Sequence, residues 1–257
     1  MNHVYNSTFF DYIDHSARTS ARGLINLLHP ALKPQSLLDL GCGRGVWLHE
    51  WQRAGVGTFL GVDGDYVRRD QLEVPQDAFL PADLTQPVPL TRRFDLAQSL
   101  EVGEHLPDTA AVTLVDSLTR ASDIVLFSAA VKGQGGEHHI NEQPLIYWQD
   151  LFRARGYTAY DCIRPHLSHD RSIAPWYRYN AVLYVNAAGR ATLPDSILRH
   201  RLPDGQALAN GGDLAWRLRL ALVAGMPRGM VTGIARARAL ALATLARARK
   251  SGRAARA

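Results

Sequence analysis

Three short stretches of this sequence gather residue types that do chemistry together. The first is Glu101-Val102-Gly103-Glu104-His105. On a helical turn, positions 101, 104 and 105 share one face, because residues three and four apart are neighbours. Two carboxylates and an imidazole, completed by water, suit an octahedral Mg²⁺ or Mn²⁺; the competing reading is a polar turn that closes a pocket. The second stretch is Gly133-Gln134-Gly135-Gly136-Glu137-His138-His139-Ile140-Asn141-Glu142, two histidines behind a run of glycines. His139 is the first candidate for a general base or for completing a metal shell, because Ile140 after it is expected to anchor inward. His138 and His105 are the other candidates; a loop whose histidines cap a helix or meet solvent is the plain alternative. The third is Leu38-Asp39-Leu40-Gly41-Cys42-Gly43-Arg44-Gly45, where glycines let a backbone turn sharply and approach a ligand closely. A dinucleotide fingerprint has the spacing G-x-G-x-x-G, and here the third glycine arrives one residue sooner.

These stretches must be held by regular elements, and the pattern supplies them. Strands are expected at 36–40, 58–62, 78–81, 94–100, 123–130, 157–163 and 180–186. Helices are expected at 5–28 (ended by Pro30 and Pro34), 46–54, 109–120 and 143–155. Alternating strands and helices predict an α/β fold, a doubly wound, mostly parallel sheet covered on both faces. Ligands in such sheets sit beyond the carboxyl ends of the strands, where the strand order reverses. All three chemical stretches follow a predicted strand. The chain divides into an N-terminal helical segment (1–35), the sheet domain (36–188), a linker (189–212) and a basic helical extension (213–257). The linker is read from Pro194, Pro203, Gly205, Gly211 and Gly212. In the extension, helices are expected over 213–224 and 230–250, broken at Gly225-Met226-Pro227.

The pattern Asp39-x-Gly41-x-Gly43-x-Gly45 resembles the first motif of class I S-adenosylmethionine-dependent methyltransferases. Asp63 at the end of the second strand, Asp83 after the third, and Ser99-Leu100-Glu101-Val102-Gly103-Glu104-His105-Leu106-Pro107 after the fourth fall where that family has its next motifs. The last of these is similar to the branch containing the ubiquinone-biosynthesis O-methyltransferases. The resemblance covers residues 36–186 and implies a seven-stranded sheet with one antiparallel strand. It implies cofactor contacts from Asp39, Gly41, Cys42, Gly43, Gly45, Asp63, Asp83, Leu84 and Ser99. In that reading Asp63 accepts both ribose hydroxyls (Asp65 being the competitor), Asp83 receives the adenine amino group and Leu84 packs on the ring. Quinone O-methyltransferases and certain RNA 2′-O-methyltransferases with similar motifs hold a metal, which implies that role for Glu101, Glu104 and His105.

Composition bounds the rest. The chain is 46% apolar and 21% charged, ordinary for a globular protein large enough to bury a core. Two cysteines, Cys42 and Cys162, make no disulfide framework and point to a reducing compartment. No signal-peptide pattern opens the sequence and no apolar run reaches the length of a membrane span. A cytoplasmic location is therefore expected, peripheral at the inner face of the membrane if the extension docks there. The net charge of +5 conceals a division: residues 1–189 hold 16 Lys/Arg against 21 Asp/Glu, whereas 190–257 hold 13 against 3. The basic part suggests an anionic membrane surface as partner. Nucleic acid is disfavoured, since no aromatics apart from Trp216 interleave the arginines. Complete by Asn186, the strand pattern predicts a domain that folds without the extension. Tyr147 and Trp148 are expected in the core; Trp176, Tyr177 and Tyr179 are candidates for the wall of an acceptor pocket.

The expected activity is O-methylation of a sugar or polyol hydroxyl in polysaccharide or glycolipid biosynthesis. It rests on a resemblance of Gly136-Glu137-His138-His139-Ile140-Asn141-Glu142, Tyr147-Trp148 and Leu151-Phe152-x-x-x-Gly156-Tyr157 to bacterial methyltransferases associated with glycan assembly. A quinone precursor or other small phenol is the alternative acceptor. From a different class comes a cofactor-binding protein without turnover.

Overall fold

The strand Ser36–Leu40 (β1) shows how the sheet is built: its side chains alternate between two cores. Leu37 points into one apolar cluster, Leu38 and Leu40 into the other. A strand buried on both faces has to be central in a sheet covered by helices on each side. The computed structural model describes residues 7–227, 229–237 and 241, with side chains from residue 17 onward.

In chain order the elements are α1 (Ser7–Leu32), β1, α2 (Val46–Arg53), β2 (Thr58–Asp63), β3 (Phe79–Pro81), β4 (Leu96–Leu100), α3 (Ala111–Ala121), β5 (Ile124–Ser128), α4 (Leu145–Arg153) and β6 (Thr158–Tyr160). There follow α5 (Arg164–Leu167), α6 (Pro175–Asn180), β7 (Val182–Val185), α7 (Ala187–Arg190), α8 (Asp195–Leu198) and α9 (Leu214–Ala224). The seven strands lie in the order β3-β2-β1-β4-β5-β7-β6. All pairings are parallel except those of β7, which runs antiparallel to β5 and β6. The order reverses between β1 and β4, so the loops after these two strands flank the switch-point crevice.

One face is covered by α1, α2, α5 and α6, around Leu24, Leu28, Trp47, Trp51, Ile163 and Tyr177. The other is covered by α3 and α4, around Leu114, Leu118, Trp148 and Phe152. Trp51 is wholly buried and donates its indole N–H to Gln98 Oε1 at 2.9 Å, so even the polar edge of that ring is satisfied inside the core. Glu50 on α2 is buried too, and Arg18 and Arg22 of α1 close on its carboxylate at 2.9 Å each. These arginines hold its carboxyl below the usual carboxylate range despite burial.

Several elements differ from their sequence-based expectation. Helix α1 runs on through Pro30 rather than stopping before it. Pro30 lies in the last turn, where a missing N–H removes only one ladder bond; the helix closes with Lys33 N–H on His29 C=O, at a left-handed Lys33 (φ 44°) followed by Pro34. Residues 189–212 do not form a free linker. They carry α7 and α8, bury Leu193, Ile197 and Leu208, and pair backbone with the sheet's β6 edge through Leu202 N–H on Ala159 C=O and Asp161 N–H on His200 C=O. Turn-forming residues there mark tight corners between packed pieces. The basic extension likewise packs back on the domain, through Trp216, which is buried. Of the helix expected over 230–250, residues 229–237 are helical and 241 is too, while 238–240 and 242–250 lie outside the described residues, as do residues 5 and 6 of the first predicted helix. Among the described residues no helix is long and apolar enough to cross a membrane.

Candidate active site

The glycine loop leaves β1 at Gly41, whose φ of 85° is one that a side chain resists. A Cβ there would come within 2.2 Å of Val102, so the loop after β1 and the loop after β4 touch backbone to side chain across the switch point. Gly41 N–H and Cys42 N–H turn back onto Val62 C=O of β2, and Gly43 N–H donates to Asp63 Oδ2 at 2.7 Å. Asp63 is buried, and its other oxygen accepts from Gly64 N–H at 2.7 Å and from the Tyr66 hydroxyl at 2.5 Å. Burial pushes its carboxyl up, while the three donors oppose that shift. A carboxylate at the end of β2 facing three glycines that carry no side chain fits a ligand with paired hydroxyls.

Other expected cofactor residues take varied places. Asp39 is buried beneath the loop, and desolvation raises it to about 7. Leu84 is buried, whereas Asp83 is exposed and accepts from the Thr85 amide and hydroxyl at 2.9 and 2.8 Å. The Cys42 thiol is buried and pushed up, far from a reactive thiolate. Ser99 departs from its expected role: it is wholly buried and its hydroxyl donates to Leu40 C=O at 2.8 Å, tying β4 to β1. The serine supports the loop from below.

The second half of the site lies after β4 and β5. Glu101 adopts a left-handed conformation (φ 58°), a strained state for a glutamate, and Gly103–His105 forms a single 3-10 turn. Because of that kink the three residues do not share a helical face as their spacing suggested. Glu104, His105 and His139 instead bring one ligand atom each to within 4.8 Å of one another. Glu101 is not in that group. It lies near enough to Glu104 for the two carboxyls to repel, and accepts from Gln134 Nε2 at 2.5 Å. The residues that could hold a metal thus differ in one member from Glu101, Glu104 and His105: His139, which the sequence offered for completing a metal shell, stands in place of Glu101.

Electrostatics here are extreme. Burial raises Glu104 to about 8, and the neighbouring Glu101 carboxylate adds to the shift. Glu101 itself goes to about 7, again first through burial. His105 is forced down to about 3 by burial and by the facing His139, so it is a neutral imidazole. Its ring meets His139 edge-on, with centroids 4.9 Å apart. Glu101 Oε1, Glu104 Oε2 and His105 Nδ1 are buried with no hydrogen-bond partner. Two of these atoms, Glu104 Oε2 and His105 Nδ1, belong to the residues that converge with His139, and a carboxylate oxygen with imidazole nitrogens is a donor set that a divalent cation would satisfy.

The loop 133–142 presents His139, and residues that the sequence reading passed over do the holding. Glu142 accepts from Gly133 N–H at 2.8 Å, Gly135 N–H at 2.7 Å and His139 Nδ1 at 2.9 Å. A carboxylate on Nδ1 fixes the tautomer and leaves the Nε2 lone pair available. Ile140 does not anchor inward, being half exposed; Asn141 does, buried with its N–H on Glu104 C=O and its amide on Gly103 C=O. Gln134 bridges Glu101 to Asn180 at the entry to β7. Their only trace in sequence is polar side chains crowded into a glycine loop. His138 turns away from the cluster: its Nε2 faces Arg236 of the C-terminal extension at 2.7 Å, so it is removed from the catalytic candidates. Tyr177 is buried against Trp47, with ring centroids 5.1 Å apart, and the Glu101 and Glu104 carboxylates bear on its hydroxyl. Trp148 is core, as expected, and Tyr179 packs on Trp216.

The sheet order, the single antiparallel strand and the switch-point loops are those of the class I S-adenosylmethionine-dependent methyltransferase fold. Residues 13–128 match the family model for a methyltransferase domain. Among solved structures, the chain is similar to an O-methyltransferase family protein from Burkholderia thailandensis (13% identity, 69% of this chain and 58% of that one, TM-score 0.55). It is similar also to human N-acetylserotonin methyltransferase in complex with S-adenosylmethionine (15% identity, 69% and 55%, TM-score 0.50). A third is the methyltransferase domain of bacterial CtHen1-C (16% identity, 65% and 97%, TM-score 0.50). The chain thus spans little more than half the length of the first two. No curated protein matches the sequence.

Proposed function

We propose that this protein transfers the methyl group of S-adenosylmethionine to a hydroxyl oxygen, with a divalent cation held by Glu104, His105 and His139. The observation that carries the reading is the convergence of these three side chains, with Glu104 Oε2 and His105 Nδ1 buried and unpartnered, beside the glycine loop. Asp63 and the loop 41–45 bind and orient the cofactor, which supplies an electrophilic methyl on a sulfonium. Such a displacement gains most from holding acceptor and methyl in line. A bound Mg²⁺ or Mn²⁺ would lower the pKa of a coordinated hydroxyl and orient it. Glu142 holds His139 through Nδ1, which would leave Nε2 as the ring nitrogen for the cation. The acceptor class that suits a cation with open positions is one offering adjacent oxygens, and a sugar or polyol of a surface glycan has them. The O-methyltransferase name of the Burkholderia relative is in keeping with an oxygen acceptor.

The test is release of S-adenosylhomocysteine with a panel of sugars, polyols and catechols, with and without EDTA. Activity should vanish on chelation and return with Mn²⁺, and Glu104→Gln should lose it while still binding S-adenosylmethionine. Turnover indifferent to EDTA rejects the cation; catechols as the only acceptors reject the sugar.

A further inference from the structure

Helix α9 carries apolar residues on two opposite sides, Trp216, Leu220 and Val223 on one and Leu214, Leu218 and Leu222 on the other, with Arg217 and Arg219 between them. Its inner side is accounted for. Trp216 is buried, a Cβ on Gly133 would fall 2.2 Å from Leu220 C=O, and one on Gly135 would strike Val223 and Val231. Arg219 donates to Gln134 C=O, and beyond the bend at Pro227 Arg236 reaches His138. The outer side has no such cover. Leu214, Leu218 and Leu222 are 73%, 57% and 68% exposed, and Met226, Met230 and Ile234 continue the row at 37%, 55% and 54%. Leu214, Leu218 and Leu222 stand four residues apart on α9, the spacing of one helical face, and Met230 and Ile234 repeat that spacing on the helical segment beyond Pro227. Six of the nine large apolar side chains exposed among the described residues lie on this one strip, which sets it apart from ordinary scatter.

Charge indicates what covers it. From 214 to 257 the sequence has ten arginines and lysines and no aspartate or glutamate. A second copy laid on the strip would bring two such segments together, a like-charge juxtaposition that opposes pairing. We infer that the outer face of residues 214–234 docks on an anionic lipid bilayer, its leucines and methionines entering the headgroup boundary and the net positive charge of 214–257 drawing it to the anionic surface. The docked helix is the one whose inner face packs on the loop bearing His139, so docking would hold that loop close to the lipid surface. This inference stands independently of the reaction proposed above.

The experiment uses the full chain, with vesicles of phosphatidylcholine alone and of phosphatidylglycerol mixed with phosphatidylcholine. Sedimentation with the anionic vesicles only, reversed as salt rises, is expected. Leu222→Glu should weaken this association at least about tenfold, because it places a carboxylate on the inserted face. Val112→Glu, an equal charge change at an exposed apolar residue of α3, should leave it unaltered. Both variants should melt with the parent, which separates docking from folding. The inference is overturned by no binding to anionic vesicles, by equal binding to neutral ones, or by Leu222→Glu behaving as Val112→Glu does. A dimer seen by sedimentation velocity without lipid, split by Leu222→Glu, with no vesicle binding, overturns it in favour of a second copy.

Discussion

Replacing Glu142 by glutamine should weaken Mn²⁺ binding by about 10–100-fold, the usual effect of losing the carboxylate behind a ligand histidine. That is about 1.4–2.7 kcal/mol. The structure gives the reason. One Glu142 oxygen takes Gly133 N–H, and the other takes both Gly135 N–H and His139 Nδ1. An amide of the same shape must turn an NH₂ towards one side or the other, so at least one donor loses its acceptor and faces another donor. A partly buried group left unsatisfied costs about 1–3 kcal/mol, which agrees with the figure from affinity. The loss also frees His139 to change tautomer, so its Nε2 is no longer held as a lone pair. Calorimetric titration of the metal-free chain with Mn²⁺ measures the effect, and S-adenosylmethionine affinity serves as control, since Glu142 accepts from Gly133, Gly135 and His139, all within its own loop. A Mn²⁺ Kd within about twofold of the parent's would refute the assignment of His139 as a ligand held by Glu142.

The pH dependence of stability follows from the same cluster. Glu104 and Glu101 are raised to about 8 and about 7, so the folded chain binds more protons than the unfolded one above pH 4.5, and stability falls as pH rises through those values. His105 works in the opposite sense, adding stability between about pH 3 and its ordinary 6.5, where it becomes neutral in both states. Hence the Tm of metal-free protein should drop from pH 6.5 to 8.5, and Mn²⁺ should reverse the drop; a flat profile counts against the buried carboxyl pair. Asp63→Ala should weaken S-adenosylmethionine binding by about 1.5–3 kcal/mol by calorimetry, the worth of a charge-assisted hydrogen bond; an undiminished affinity moves the ribose contact to Asp65. Truncation after Ala188 removes the buried Leu193, Ile197, Leu208 and Trp216. At about 1.5–3 kcal/mol for each, the loss approaches the whole stability of a domain, so the product should be insoluble or unfolded by circular dichroism. A soluble truncation that binds cofactor would show that 189–227 is dispensable.

What the sequence determined by itself was whatever local pattern dictates. Buried strands such as SLLDL and IVLFS, alternating with helical spacing, fixed the sheet and its helices; glycines at 41, 43 and 45 after β1 fixed a loop that only small residues can form. The motif spacings placed Asp63, Glu104, His105 and His139 at carboxyl ends of strands, where the crevice had to be. Tertiary structure decided what depends on backbone direction at a single residue. A left-handed Glu101 replaced the assumed helical turn, and the residues that converge are Glu104, His105 and His139, without Glu101. In the loop 133–142 two adjacent histidines are equivalent in sequence, yet His139 points in against Glu142 and His138, at φ 58°, points out to Arg236. The same limit applies to the C-terminal third. Prolines and glycines read as a linker because a turn looks alike whether it hangs in solvent or rounds a packed corner. Only long-range contacts, Leu202 on Ala159, Trp216 on Tyr179 and Leu220 against Gly133, show that this segment is built onto the domain and over the loop bearing His139.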